Sequence, residues 1–217
     1  MLTTVDDHEF PRRLVARLAQ GLPGRAVQQA FAPELSYGRH FGPPAFDARA
    51  AAVAVLLYER AGVWHMPLTV RPSTMVHHAG QISLPGGQVE SGETSSDAAI
   101  RELHEELGIA LDSVDVLGQL SPVYVYASNF LVTPWLVVER RYAEFQPNRD
   151  EVSELIELPI AALCDPKNRG THVLNRRGIA IEVPHIARHG HHIWGATCLI
   201  LGELAALCDA ASSTASP

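Results

Sequence analysis

The sequence predicts a mixed α/β fold of the α+β type, with a mixed β-sheet sandwiched between helices. Three observations predict it. The uninterrupted apolar run over residues 51–58 has the character of a strand buried on both faces. Strand-like runs dominate the rest of the chain, with only a few helical segments between them. One of those segments, residues 94–107, carries a helix start signal, a helical apolar stripe and a glycine stop.

The elements follow in order. Residues 9–20 place Phe10, Leu14, Val15 and Leu18 at helical spacing with Arg12, Arg13 and Arg17 between them, a short amphipathic helix. Gly21, Pro23 and Gly24 end it. Residues 36–48, rich in Gly, Pro and aromatics and holding Pro43-Pro44, are expected to be a linker. Residues 1–49 thus form an N-terminal helix and linker, 50–209 the main domain and 210–217 a disordered tail rich in Ser, Thr and Pro. Within the domain, the 51–58 strand pairs with 64–70 across a turn at Arg60-Ala61-Gly62. Residues 80–92 hold Gly80, Pro85, Gly86, Gly87 and Gly92 and are expected to be loop-rich. Strands are expected at 114–125, 129–138 and 151–157, and a hairpin at 171–183 turning on Arg176-Arg177-Gly178. Residues 195–209 close the domain as a helix, with Leu199, Ile200, Leu204, Ala205 and Leu207 at helical spacing.

Composition excludes several classes. The 217 residues are 47% hydrophobic, which suits one globular domain with terminal additions. Twenty-four acidic residues against 17 basic ones, a formal charge of -7, argue against non-specific nucleic-acid binding. No apolar run approaches the ~20 residues of a membrane span, and Asp6, Asp7 and Glu9 do not suit a signal peptide. A cytoplasmic protein is the expectation. Cys164, Cys198 and Cys208 lack the paired spacing of a zinc site and are expected to be free thiols. His185, His189, His191 and His192 are expected to be loop surface or packing rather than a zinc site.

The helix at 94–107 carries the chemistry. Thr94-Ser95-Ser96-Asp97 has the form of a capping box, and Gly108 suits a left-handed stop. Ala99, Ile100, Leu103 and Leu107 form its packing stripe. Glu102, Glu105 and Glu106 stand at i, i+3 and i+4 and share another face. Like charges at that spacing cost about 0.2–0.5 kcal/mol per pair. The last turn adds repulsion from the helix dipole of roughly 0.3–1 kcal/mol per anion. A solvated surface tolerates these penalties; a divalent cation converts them into binding.

The preceding loop decides between the two. Gly87, Glu93, Arg101-Glu102-Leu103 and Glu105-Glu106, followed by Gly108-Ile109, stand at the intervals of the Nudix box, nine specified positions across 23 residues. The chain is identified as a member of the Nudix hydrolase family on that pattern. The resemblance implies a Nudix fold with its loop–helix–loop. It implies Glu102 and Glu106 as metal ligands, with Glu105 sharing the role and a backbone carbonyl at Gly86 or Gly87 assisting. Arg101 would pair with Glu93 to orient the helix. Glu105, Glu102, Arg101 and Glu93 are therefore the catalytic candidates. Mg²⁺ or Mn²⁺ is the implied cofactor, since both favour oxygen ligands. The box leaves the general base unassigned.

The segment ahead of the box, Leu68-Thr69-Val70-Arg71, then His78-Ala79-Gly80-Gln81, then Pro85-Gly86-Gly87, resembles the signature of coenzyme A pyrophosphatases within that family. Looser likeness continues through Asp150-Glu151-Val152 and Ile193 to Thr197. Leu84, Pro72 and Val76 depart from the subfamily pattern. The resemblance implies a small nucleotide-type substrate, coenzyme A or an acyl derivative, cleaved to 3′,5′-ADP and a 4′-phosphopantetheine product. Arg71, His78 and Gly86 are the substrate-binding candidates, because an arginine fork suits phosphate oxygens. Glu151 and Glu154 are candidates for a further ligand or base. Another nucleoside diphosphate derivative, such as ADP-ribose or an oxidised nucleotide, is the alternative substrate, and a non-catalytic binding protein the alternative class. Family members are often homodimers, with the N-terminal helix as the candidate contact here.

Overall fold

The chain alternates apolar strands with two long helices, and the computed structural model describes residues 9–33, 42–73, 80–140, 144–176 and 178–213. It opens with α1 (Glu9–Gln20), α2 (Arg25–Gln28) and a 3-10 turn at Gln29–Phe31. There follow β1 (Arg49–Arg60), β2 (Val63–Val70), β3 (Ile82–Ser83), β4 (Gly86–Gln88) and α3 (Ser95–Leu107). Then come β5 (Val114–Gln119), β6 (Val123–Val125), β7 (Phe130–Glu139), β8 (Glu154–Pro159) and α4 (Ile160–Cys164). The last elements are β9 (Arg169–Arg176), β10 (Ile179–Arg188), β11 (His191–Trp194) and α5 (Gly195–Ser213).

β1 is the axis of an eight-stranded mixed sheet with the path β3-β2-β1-β7-β5. It runs parallel to β7 from Arg49 opposite Phe130 to Leu57 opposite Val138, and antiparallel to β2 and β4. The β1–β2 turn falls on Ala61 and Gly62, both at positive φ (52° and 76°), which matches a two-residue hairpin. Side chains alternate between faces, and both faces of β1 are covered. Ala52, Ala54, Leu56 and Tyr58 meet Ala98, Ala99, Leu103 and Leu107 of α3 in one core. Val55 and Leu57 belong to a second core with Leu199, Ile200 and Leu204 of α5 and Leu14 of α1. The small Ala52 and Ala54 side chains let α3 lie close, so the carboxylate helix is fixed by the sheet beneath it.

α1 spends its apolar stripe within the chain. Leu14 is fully buried and Phe10 meets Trp64 with ring centroids 5.4 Å apart, whereas Val15 is left exposed. The following segment is tied down by Glu203 of α5. This fully buried carboxylate accepts from Gly24 N, Gln28 Nε2, Ser121 N and Ser121 Oγ at 2.7–3.1 Å. Four donors are enough to offset its loss of water.

Several expectations from sequence are corrected. The strand expected at 114–125 is two strands, interrupted at Leu120-Ser121-Pro122, where Pro122 has no N–H to offer a ladder. The strand expected at 151–157 begins at Glu154, because the N–H groups of Glu151 and Val152 turn back to Asn148 O. Two short strands, β3 and β4, lie in the loop-rich stretch 80–92. The hairpin at 171–183 is longer and gains a third strand, β11, so His185, His191 and His192 stand on strands rather than in a loop. α5 continues to Ser213, past the expected tail boundary. Among the described residues no helix is long and apolar enough to cross a membrane.

Candidate active site

Local chemistry builds α3 as expected. Thr94 Oγ1 accepts from Asp97 N at 3.2 Å while Asp97 returns the bond to Thr94 N, and Gly108 ends the helix at φ 72°. Trp135 Nε1 on β7 donates to Ser95 Oγ at 3.1 Å, fixing the helix start to the sheet. The last turn is also secured, since Glu106 O and Leu107 O accept from Asn148 N and Gln146 N.

β4 brings the glycine loop against the carboxylates. Gly86 pairs with Val53 of β1, and Gly86 N donates to Glu106 Oε1 at 2.9 Å. A Cβ on Gly86 would stand 2.3 Å from Ala52 O, and one on Gly87 would stand 2.2 Å from Glu102 Oε1. Gly86 therefore needs glycine for close approach, whereas a side chain at Gly87 would displace the Glu102 carboxylate. The two clashes differ in kind, one with backbone and one with a mobile side-chain end. Gly86→Ala is expected to cost about 1–3 kcal/mol, as overpacked cores do, which a thermal melt will show as a lowered midpoint.

Arg101 organises the acidic groups. Its Nε and Nη2 donate to both oxygens of Glu93 at 3.1 and 2.9 Å, a bidentate pair. Its Nη1 donates to Glu102 Oε1 and Glu105 Oε2, each at 2.9 Å, and Nη2 also reaches Gln88 O at 3.2 Å. Glu93 accepts a further bond from Glu90 N at 2.7 Å. These bonds, Arg101 first, hold the Glu93 carboxyl below the usual range. Burial pushes Glu102 above its usual value, with Arg101 opposing. Burial pushes Glu106 up to about 7 against the Gly86 N–H and the Arg71 charge. Glu106 is only 4% exposed, whereas the Glu105 side chain is 48% exposed.

The remaining candidates sort by position. The Glu151 charge raises both Glu102 and Glu106, so Glu151 belongs with this group, and Asn148 Nδ2 donates to it at 3.2 Å. Glu154 instead meets His191 Nε2 at 3.1 Å. Arg71 stands just beyond the end of β2, and its buried Nε has no hydrogen-bond partner among the described residues. His78 lies outside the described residues.

Arg71, Gly86 and Gly87 line a cavity of about 690 Å³. Its far wall comes from Leu174, Ile181, Val183 and Trp194 of the three-stranded sheet. Leu174, Ile181 and Val183 carry no motif, so the sequence offers only their alternation along strands as a signal, whereas Trp194 lies in the 193–197 segment noted above.

The family model of the NUDIX domain matches residues 48–178. Over 160 residues the chain is 34% identical to the Nudix hydrolase NudL of Citrobacter koseri, covering 73% of this chain and 82% of that protein. The chain belongs to the Nudix hydrolase family. It is also 34% identical over 155 residues to the human mitochondrial coenzyme A diphosphatase NUDT8, covering 69% of this chain and 65% of that protein. The mouse protein of the same name shows 34% identity over 156 residues, 70% of this chain and 74% of its own length. The Nudix match spans β1 to the β9–β10 turn and includes all of α3, whereas Ile181, Val183 and Trp194 lie beyond it. The carboxylate end of the site thus lies within the matched span, while Ile181, Val183 and Trp194 of the apolar wall come from the segment that follows it.

Proposed function

We propose that this Nudix hydrolase cleaves the diphosphate of coenzyme A or an acyl derivative, giving 3′,5′-ADP and (acyl-)4′-phosphopantetheine, with Mg²⁺ or Mn²⁺. The observation that carries this reading is the placement of Arg71 and the Gly86–Gly87 edge between the carboxylates and a large apolar-walled cavity. The likeness to relatives named coenzyme A diphosphatases supports the substrate class.

The donor set fits a hard cation. Glu102, Glu105 and Glu106 offer only oxygen, and Gly87 brings its backbone against Glu102. When bound, the divalent ion would acidify a water and neutralise charge on the diphosphate. The protein's own residues do the positioning. Arg101 holds Glu93, Glu102 and Glu105 in one array, and the Gly86 N–H holds Glu106. Arg71 offers phosphate oxygens an Nε that has no partner among the described residues, and the apolar wall gives the pantetheine arm a surface to cover. Glu151 stays beside the carboxylates as a candidate proton acceptor, and the base is otherwise unassigned.

Incubation of the full chain with coenzyme A and Mg²⁺ or Mn²⁺, followed by mass analysis, tests the reading. Phosphopantetheine and 3′,5′-ADP are expected, at a higher kcat/KM than for ADP-ribose or an oxidised nucleotide. Absence of phosphopantetheine at every metal concentration would sink the substrate assignment. Arg71→Ala is expected to raise KM by about 10–100-fold, because a charge-assisted hydrogen bond contributes about 1.5–3 kcal/mol; steady-state kinetics will show the change.

A further inference from the structure

The cavity-lining face of the three-stranded sheet continues past Val183 and Trp194 into three histidines. His172 stands on β9, His185 on β10 and His192 on β11. Register explains why they meet. His172 is paired with Val183 and His192 with Ala187, the residues two before and two after His185 on the same side of β10. Ring centroids lie 4.0 Å apart for His185 and His192, 4.7 Å for His172 and His192, and 5.0 Å for His172 and His185. One nitrogen from each ring lies within 4.8 Å of the other two. Gly170 is opposite His185, and a Cβ there would come within 3.1 Å of the ring, so the glycine leaves the imidazole its room.

We propose that His172, His185 and His192 form a second metal site, separate from the carboxylates, that takes zinc or a similar borderline divalent transition metal. Three imidazoles suit Zn²⁺ rather than Mg²⁺, which demands oxygen. Tetrahedral zinc at about 2.0–2.1 Å from each nitrogen sets its ligand atoms roughly 3.3 Å apart. The Nδ1 atoms of His172 and His185 are already 3.1 Å apart, close to that spacing, and a nitrogen of His192 within 4.8 Å has to close in on them. His185 is buried, His172 partly buried and His192 exposed, which leaves an entry on the His192 side and a fourth position for water. Packing accounts for His185 alone. It does not account for three rings gathered nitrogen to nitrogen, where each neutral ring brings a single N–H. The ion ties β9 and β11 to β10 and so braces the wall of the cavity.

The test uses the untagged full chain stripped with a chelator, with Zn²⁺ added calorimetrically in excess Mg²⁺. A single tight equivalent is expected, with a Co²⁺ adduct showing visible absorption. His192→Ala changes an exposed residue, so circular dichroism should show the fold intact while Zn²⁺ affinity falls at least about tenfold and the Co²⁺ band disappears. Glu102→Gln should leave both signals unchanged. Zn²⁺ binding that survives His192→Ala and His172→Ala, that is abolished by Glu102→Gln, or that is absent from the wild-type chain would overturn the site.

Discussion

Glu106→Gln is expected to lower kcat on coenzyme A by about a thousandfold, since loss of metal-borne charge stabilisation removes several kcal/mol and each 1.4 kcal/mol is tenfold. The change is nearly isosteric. Glutamine keeps an oxygen to accept from Gly86 N, and burial already disfavours the charged form of Glu106. Without metal the variant should melt at or above the wild-type temperature. With Mn²⁺ the wild-type midpoint should rise and the variant's should not, because an ion that binds only the folded chain stabilises it by mass action. Paired thermal melts with and without Mn²⁺, beside kcat, check this. A variant that keeps both turnover and the Mn²⁺ shift would remove Glu106 from the metal set.

Arg101→Ala is expected to damage stability and turnover together. Arg101 is the donor to Glu93, Glu102 and Glu105, and its loss leaves all three carboxylates without that partner. Breaking such a partly buried network costs about 1–3 kcal/mol. In a chain of this length that lowers the melting midpoint by roughly 2–4 °C per kcal/mol. Divalent metal should restore part of the midpoint by compensating the same carboxylates, yet kcat should stay depressed because the helix is no longer held to the Glu93 loop. Arg101→Lys should recover little, since a lysine cannot grip both oxygens of Glu93 while reaching Glu102. Differential scanning of the variants across metal concentrations is the measurement, and an unshifted midpoint for Arg101→Ala would mean the network is ornamental.

Much of α3 and its loop was legible because the information is local. Thr94 and Asp97 are three apart, Gly108 follows the last apolar residue, and Glu93 lies eight residues before Arg101, within reach once the helix forms. The β1 strand was legible from its unbroken apolar run, and its burial on both faces followed. What stayed hidden depends on distant partners. The Arg101 pair with Glu93 was implied by the family resemblance, but the second grip of Arg101 on Glu102 and Glu105 needed coordinates. The Gly86 bond to Glu106 requires β4 to pair with β1, which no pattern in 80–92 announces. Glu151 was expected on a strand, and the Asn148 carbonyl captured its N–H instead. β11 was missed because it has four residues after a tight turn at His189 and Gly190, both at positive φ. That turn brings His192 beside His172, a residue the histidine-rich segment gave no reason to include.

The most direct measurement is a crystal structure of the full chain with Mn²⁺ and 3′,5′-ADP, using the anomalous signal to place the metal. The expected map has Mn²⁺ on Glu102 and Glu106, the product phosphate at Arg71 and the cavity open beside it. Manganese on other residues, or product bound away from Arg71 and the Gly86–Gly87 edge, would place the chemistry elsewhere.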